Sequence, residues 1–202
     1  FNPGSGKSFL PMNMGVSLAI KGQKVLVIDG DLRHGSASSY VNSPRVGLSD
    51  YLSGRTDRLG EIIVPDRNHK GLDILPVGTI PPNPTELLFS DRLKQVIDTV
   101  RGLYDYVLID CPPVEIVADT QIIGRLADRT IFVVRAGLFE RSMLPELENI
   151  YNEKKYKNMS LILNGTLGNT GRYGYRYGYR YGYHYSYGSD KKQGVSEWAE
   201  NK

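Results

Sequence analysis

"PGSGKS", residues 3–8, is the stretch on which the reading of this chain turns. Gly4 and Gly6 flank a serine, and Lys7 and Ser8 follow. That order matches the end of the phosphate-binding pattern GxxxxGK[ST], in which glycines let backbone N–H groups face an anion. Lys7 would neutralise phosphate charge, and the Ser8 hydroxyl can ligate Mg²⁺. A helix behind them adds the positive end of its dipole. Phe1 stands where the pattern wants its first glycine, so the match is incomplete. The bland alternative is a glycine-rich turn before a helix, and the rest of the chain has to decide between the two.

Outward from the loop, two patterns alternate. "SFLPMNMGVSLAIKG" (8–22) reads as a helix ending near Gly22, with Pro11 near its first turn, where a missing N–H costs least. "KVLVIDGDLR" (24–33) is continuously apolar and ends in charge, as a strand buried on both faces does. "GLSDYLSG" (47–54) reads as a short helix with glycine stops, "GLDILPVG" (71–78) as a buried strand, and "PPNP" (81–84) as a rigid loop. "SDRLKQVIDTVRG" (90–102) opens on a serine cap and places Leu93, Val96, Ile97 and Val100 on one helical face. "YDYVLIDCPP" (104–113) is a further buried strand, stopped by prolines. "RTIFVVRAG" (129–137) and "MSLILNG" (159–165) are strands on either side of a helix in "SMLPELENIYNEKKY" (142–156), which has Pro145 in its first turn. The alternation predicts an α/β domain with a mainly parallel sheet and helices on both faces. Ligands of such sheets sit at the carboxyl ends of the strands.

The acidic residues fall at those ends. "VLVIDGD" (25–31) closes a strand with Asp29 and Asp31, and "VLIDCPP" (107–113) closes another with Asp110. Each alone reads as a solvated turn. Around a phosphate loop they make a nucleotide site, since strand-end carboxylates hold Mg²⁺ waters and accept a hydroxyl proton. Asp110 then matches a Walker B aspartate, which binds Mg²⁺ through its waters. Cys111 reads as a small buried neighbour rather than a nucleophile.

Composition bounds what else the chain can be. Its 202 residues are 40% hydrophobic, enough for one domain with a core. A formal charge of +3 is too small to argue for nucleic acid by itself. The single cysteine excludes an internal disulfide and a zinc cluster and fits a reducing compartment. His34, His69 and His184 are far apart in sequence and form no metal-ligand pattern. No apolar run approaches the ~18 residues that span a bilayer, and no secretory leader is visible. The chain opens at Phe1, without methionine and without the strand that normally precedes a phosphate loop. This reads as a piece of a longer protein whose first strand is missing, which is expected to leave unpaired sheet edges.

The far end is different. "GRYGYRYGYRYGYHYSYG" (171–188) carries Tyr173, Tyr175, Tyr177, Tyr179, Tyr181, Tyr183, Tyr185 and Tyr187 at every second position. Residues 169–190 lack aliphatic core formers and cannot offset the entropy of ordering, so a disordered tail is expected. Three segments follow: a loop-and-sheet domain over 1–168, the tyrosine-rich tail over 169–190, and a polar extension over 191–202 with a loose helical turn around Trp198.

Taken together, "NPGSGKS", "VLVIDGDLR", "VLIDCPP" and the tyrosine cluster resemble the bacterial protein-tyrosine kinases (BY-kinases) of capsule and exopolysaccharide assembly. They correspond to that family's Walker A, Walker A′ and Walker B motifs and its C-terminal acceptor cluster. "GLSDYLSG" and "GTIPPNPTELL" (78–88) resemble segments typical of it, and the likeness covers residues 1 to 188. The resemblance implies a P-loop NTPase-like fold close to the partitioning and division-site ATPases. Those relatives usually carry a lysine where this chain has Asn2. It further implies that ATP and Mg²⁺ are the cofactors and that Pro3, Gly4, Ser5, Gly6, Lys7, Ser8 and Phe9 surround the nucleotide. Asn164 would touch adenine, a simple turn asparagine being the equal alternative. Lys7, Asp29, Asp31 and Asp110 would be the catalytic set, with Asp29 orienting or deprotonating the phenol. Ser8, Asp31 and Asp110 would hold Mg²⁺, the carboxylates through water. The tail tyrosines would be the acceptors, reached in trans within a ring-like homo-oligomer.

By the same resemblance, the partners are a membrane-spanning activator (fused or separate), a cognate tyrosine phosphatase and polysaccharide export proteins. The place is the cytoplasmic face of the bacterial inner membrane. Two other readings stand beside this one. A MinD/ParA-like ATPase switch would use the same site with water as acceptor. A tail of interleaved Arg and Tyr could stack on RNA bases, but that leaves the three-acid site unexplained, so no nucleic acid is expected.

Overall fold

The computed structural model describes residues 4–113 and 118–166. Pro3, Asn2, the tyrosine-rich tail and the polar extension with Trp198 lie outside the described residues, and so do the expectations placed on them.

The helix behind the loop is α1 (Phe9–Ile20). It starts one residue after Ser8, so Pro11 is its third residue, among the four whose N–H has no partner in the helix. Next come β1 (Val25–Asp29), a 3₁₀ turn (Ala37–Val41), α2 (Leu48–Leu52), α3 (Leu59–Ile62), β2 (Val64–Pro65) and β3 (Leu72–Leu75). The PPNP loop runs directly into α4 (Pro84–Leu88), with proline at its first position. Then follow α5 (Asp91–Arg101), β4 (Tyr106–Asp110), α6 (Asp119–Leu126), β5 (Ile131–Arg135), α7 (Leu144–Asn152) and β6 (Ser160–Asn164). Among the described residues, no helix is long and apolar enough to cross a membrane.

The strands form two sheets, a four-stranded one in the order β2-β3-β1-β4 and a two-stranded one, β5-β6. β1 is parallel to both β3 and β4, and β5 to β6; short β2 is antiparallel. The expected parallel α/β architecture is present.

β1 shows why its apolar run is continuous. Leu26 and Ile28 pack into a core with α2, α5 and α6, whereas Val25 and Val27 pack on the other face against Met12 and Ala19 of α1. α1 reaches the sheet at Gly15, where an added Cβ would lie 2.9 Å from Leu72 and 3.3 Å from Val27. A smaller core gathers Phe132, Leu147, Ile150 and Tyr156 over β5, with the rings of Phe132 and Tyr156 edge to face at 5.3 Å.

Two expectations need correction. β4 is not buried along its length: among the described residues it pairs on one side only, Tyr106 is 46% exposed, and within the strand Asp110 alone is buried. Ser90 does precede α5, but its hydroxyl donates back to the Leu87 carbonyl at 2.6 Å instead of capping the helix. The four apolar residues assigned to the inner face of α5 are all buried.

Candidate functional site

The register of the central pair builds the site. Asp29 lies opposite Asp110 on the last rung of the β1–β4 ladder, and the Gly30 N–H donates to the Asp110 carbonyl at 2.8 Å. Two carboxylates therefore leave adjacent strand ends side by side, and Asp31 follows within two residues. All three are buried, and Asp29 is fully enclosed.

The loop meets them from α1. Ser8 occupies the N-cap position of α1 but does not cap it with its side chain. Its side chain instead faces Asp110 and works to lower the pKa of that carboxyl. No acidic residue occupies the first turn of α1, so its N-terminus stays favourable to an anion. Gly4 and Gly6 have φ of +75° and +93°, in the left-handed region. A Cβ on Gly6 would also collide with the Asn164 amide. Lys7 Nζ lies 3.2 Å from Ser5 Oγ. Phe9 is 60% exposed at the start of the helix.

Each acid is held differently. One oxygen of Asp29, Oδ2, accepts two bonds of 2.7 Å, from the Ser38 N–H and the Ser38 hydroxyl. The Asp31 carboxylate accepts the N–H groups of Arg33 and His34 at 3.2 and 3.3 Å and faces His34 Nδ1 at 3.1 Å. Burial pushes Asp29 above the usual carboxylate range, although the Ser38 bonds oppose it. Burial also raises Asp110, against the opposing influence of the Ser8 side chain and with the charges of Asp29 and Asp31 added, to about 6. Lys7 is lowered by burial and sustained by the charges of Asp110 and Asp31. Burial pushes the Cys111 thiol far above its ordinary value. The residue keeps some surface, so it is less enclosed than expected, but the thiol is no nucleophile.

Among the described residues, two carboxylate oxygens here, Asp29 Oδ1 and Asp110 Oδ2, are buried without a hydrogen-bond partner. Such atoms are costly unless something else engages them. Among the described residues no cluster of His, Cys, Asp and Glu forms a closed metal cage. The donor set suits a hydrated Mg²⁺, which keeps several waters and takes few protein ligands. A cavity of about 360 Å³ between α7 and β6 lies elsewhere and is lined mainly by Leu144, Leu147, Tyr151, Met159 and Leu161.

Several roles at the site had no signal in the sequence, although Asn164 stood out there as a candidate adenine contact and Arg33 as part of "VLVIDGDLR". Arg135 ends β5 and donates from Nη1 to the Gly4 carbonyl at 2.8 Å. Asn164 ends β6 and donates from its amide to the Ser5 carbonyl at 2.9 Å, while its oxygen accepts the Gly165 N–H. In this structure Asn164 is a strut of the loop. Ser38, nine residues past Asp29, lies in an unremarkable polar stretch. Arg33, Thr85 and Asp119 meet in one cluster, although they are far apart along the chain.

Comparison with known proteins gives this geometry its context. Residues 2–162 match the AAA domain family. The chain is 40% identical over 177 residues to the putative tyrosine-protein kinase EpsB of Ralstonia nicotianae, covering 86% of this chain and 23% of EpsB. It is 38% identical over 175 residues to the tyrosine-protein kinase YwqD of Bacillus subtilis, covering 86% of this chain and 73% of YwqD. The solved kinase domain of the Escherichia coli tyrosine kinase ETK superposes with a TM-score of 0.76 at 35% identity, over 88% of this chain and 69% of that one. The septum site-determining protein MinD of Pyrococcus horikoshii, solved with Mg-ADP, superposes with a TM-score of 0.65 at 27% identity, over 80% of this chain and 68% of that one. The chain thus spans about a quarter of the length of EpsB and most of YwqD.

Proposed function

The chain belongs to the AAA domain family, in its branch of bacterial tyrosine-protein kinases, and from that premise we propose that it is an ATP-dependent protein-tyrosine autokinase. One observation carries the proposal beyond kinship. Two buried carboxylate oxygens without partners adjoin a lysine, a hydroxyl and a helix N-terminus. That is what a site for a phosphate and a hydrated divalent cation requires.

In this reading the N–H groups of residues 4–8 and the Lys7 ammonium hold the β- and γ-phosphates. Bound Mg²⁺ would neutralise phosphate oxygens, with Ser8 as a direct ligand and Asp31 and Asp110 behind its waters. Asp29 is the residue that receives the phenol proton, at Oδ1. Its raised proton affinity makes it a better base than an exposed aspartate. Ser38 keeps Oδ2 occupied, so Oδ1 is the oxygen that faces the acceptor. Asn164 positions the loop and keeps a second amide N–H for adenine.

The acceptors are the eight tyrosines from Tyr173 to Tyr187, reached in trans within a ring of copies. Phosphotyrosine adds about −1.5 to −2 charges at neutral pH. Several on one arginine-bearing tail would reverse its charge and open the ring. The work is placed at the cytoplasmic face of the bacterial inner membrane. There it serves capsule or exopolysaccharide export, with a membrane-spanning activator and a cognate phosphatase as partners. The likeness to MinD keeps an ATPase switch as the second reading, because the same site serves water as acceptor.

Incubation with Mg-ATP and site-by-site mass spectrometry, beside Lys7→Met, separates the two. Phosphate on Tyr173 to Tyr187 that is absent from the variant supports the kinase. ATP hydrolysis with a bare tail supports the switch.

A further inference from the structure

We propose that Arg33, Asp119 and Thr85 form a positioning clasp that sets the Asp31 carboxylate, and that turnover at the nucleotide site depends on it. Asp119 opens α6 and is 1% exposed. Arg33 Nε donates to its Oδ2 at 3.0 Å, and the Thr85 hydroxyl donates to its Oδ1 at 2.6 Å. Arg33 also reaches the Thr85 oxygen from Nη2 at 3.0 Å, so each of the three touches the other two. The cluster joins the stretch after β1, the PPNP segment at α4, and the first turn of α6.

The route to the site runs through one residue. The side chain of Arg33 is anchored on Asp119, while its backbone N–H donates to Asp31 Oδ1 at 3.2 Å. The next N–H, from His34, donates to the same oxygen at 3.3 Å. Where Arg33 is held therefore decides where the Asp31 donors stand. Asp119 and Thr120 are tied in turn to the far side of the site, because the Thr120 hydroxyl donates to the Pro112 carbonyl at 2.9 Å, two residues past Asp110. The clasp thus closes a circuit from Asp31 round to Asp110, separate from the direct Gly30-to-Asp110 backbone bond. The pair is half-buried, with Asp119 enclosed and the Arg33 side chain 36% exposed, so it is weak evidence of stabilisation, and the best-attested use of such pairs is fixing one arrangement among several. None of the three contacts a reacting group, so they are positioning residues.

The inference rests on the nucleotide-site reading, and its test includes a readout that does not need activity. Thr85→Val keeps the shape of Thr85 and removes its hydroxyl, and Thr85→Ser restores it. With the whole chain, ATP turnover should fall about tenfold in Thr85→Val, with KM for ATP within about threefold, as expected when geometry and not binding is lost. Thr85→Ser should recover to within about twofold of the parent, and Arg33→Lys, which keeps charge but loses the fork, should resemble Thr85→Val. Hydrogen exchange at the amides of Arg33 and His34 should quicken in Thr85→Val while β1 and β3 stay protected. Unchanged exchange at those amides overturns the clasp. So does a loss of turnover that merely tracks a lowered Tm and that serine does not rescue. If the parent chain turns over no ATP, the functional reading falls, and the exchange measurement still decides the clasp.

Discussion

Asp50 and Asp110 are both buried carboxylates, 4% and 3% exposed, and the chain treats them in opposite ways. Asp50 sits in a closed nest. Its Oδ2 accepts the N–H groups of Gly47 and Thr79 at 3.0 and 3.1 Å, and its Oδ1 accepts Arg55 at 3.1 Å. Burial works to raise its pKa, yet these donors, the Thr79 and Gly47 N–H groups first, hold it below the ordinary value. Asp110 keeps one oxygen without a donor, lies beside Asp29 and is pushed up to about 6. The lesson is that burial alone does not mark a site. A buried acid whose oxygens are all engaged holds the fold, here by tying Gly47, at the start of α2, to Thr79, beyond the end of β3. A buried acid with an oxygen left over is set for a ligand.

The largest test of this contrast removes the cation on the site's side. Lys7→Met should cut phosphotransfer by at least about 100-fold while leaving the Asp50 nest and the Tm almost unchanged. Loss of Tm would mean that Lys7 serves the fold.

Stability then separates the two acids. Asp50→Asn should cost about 3 kcal/mol in a urea melt, because charge-assisted bonds are lost in a buried place. Asp110→Asn should be neutral or stabilising without nucleotide, yet inactive. Equal destabilisation by both would break the contrast.

The pH dependence sharpens it further, because the two signs differ. The folded-state pKa of Asp110 lies above its unfolded value, so between about pH 4 and pH 6 the folded chain holds the extra proton. Stability from that group is present below the unfolded pKa and is lost as pH rises through the folded one, by about 3 kcal/mol. Asp50 is the reverse: its contribution is present above the unfolded pKa and lost as pH falls through its lowered folded value. Urea melts across that window should show the parent chain falling behind Asp110→Asn as pH climbs. Mg-ATP should close the gap.

Arg55→Ala is the smallest expected effect, about 0.5 kcal/mol. The arginine side chain is 58% exposed, and exposed ion pairs are worth little. A larger loss in thermal melts would show that the nest rests on the guanidinium rather than on backbone N–H groups.

Much of this was legible in the sequence, for a physical reason. Apolar runs ending in acid mark strands of a covered sheet, and their carboxyl ends gather by topology alone, so Asp29, Asp31 and Asp110 could be placed together before any coordinates. Local chemistry was less legible. The hydroxyl of Ser90 donates to the Leu87 carbonyl and does not accept from the helix N–H groups it was expected to cap. β4 reads like β1, but how much of a strand is covered depends on how many neighbours it pairs with, and its own letters do not carry that. α6, which brings Asp119 to the clasp, was not anticipated in "DTQIIGRL". Arg135 and Asn164 were invisible as struts, because their meaning depends on the β5–β6 register, which sets them side by side. That register is a tertiary fact.

Those two struts have a consequence for how such loops travel between proteins. The N–H groups of residues 4–8 are local, but the carbonyls of Gly4 and Ser5 are held by Arg135 and Asn164, which lie 131 and 159 residues further along the chain. Grafted onto another scaffold, the short loop would carry its anion-facing side and lose its backing. It is not a portable cassette, and exchanging it between proteins calls for the ends of β5 and β6 to travel with it.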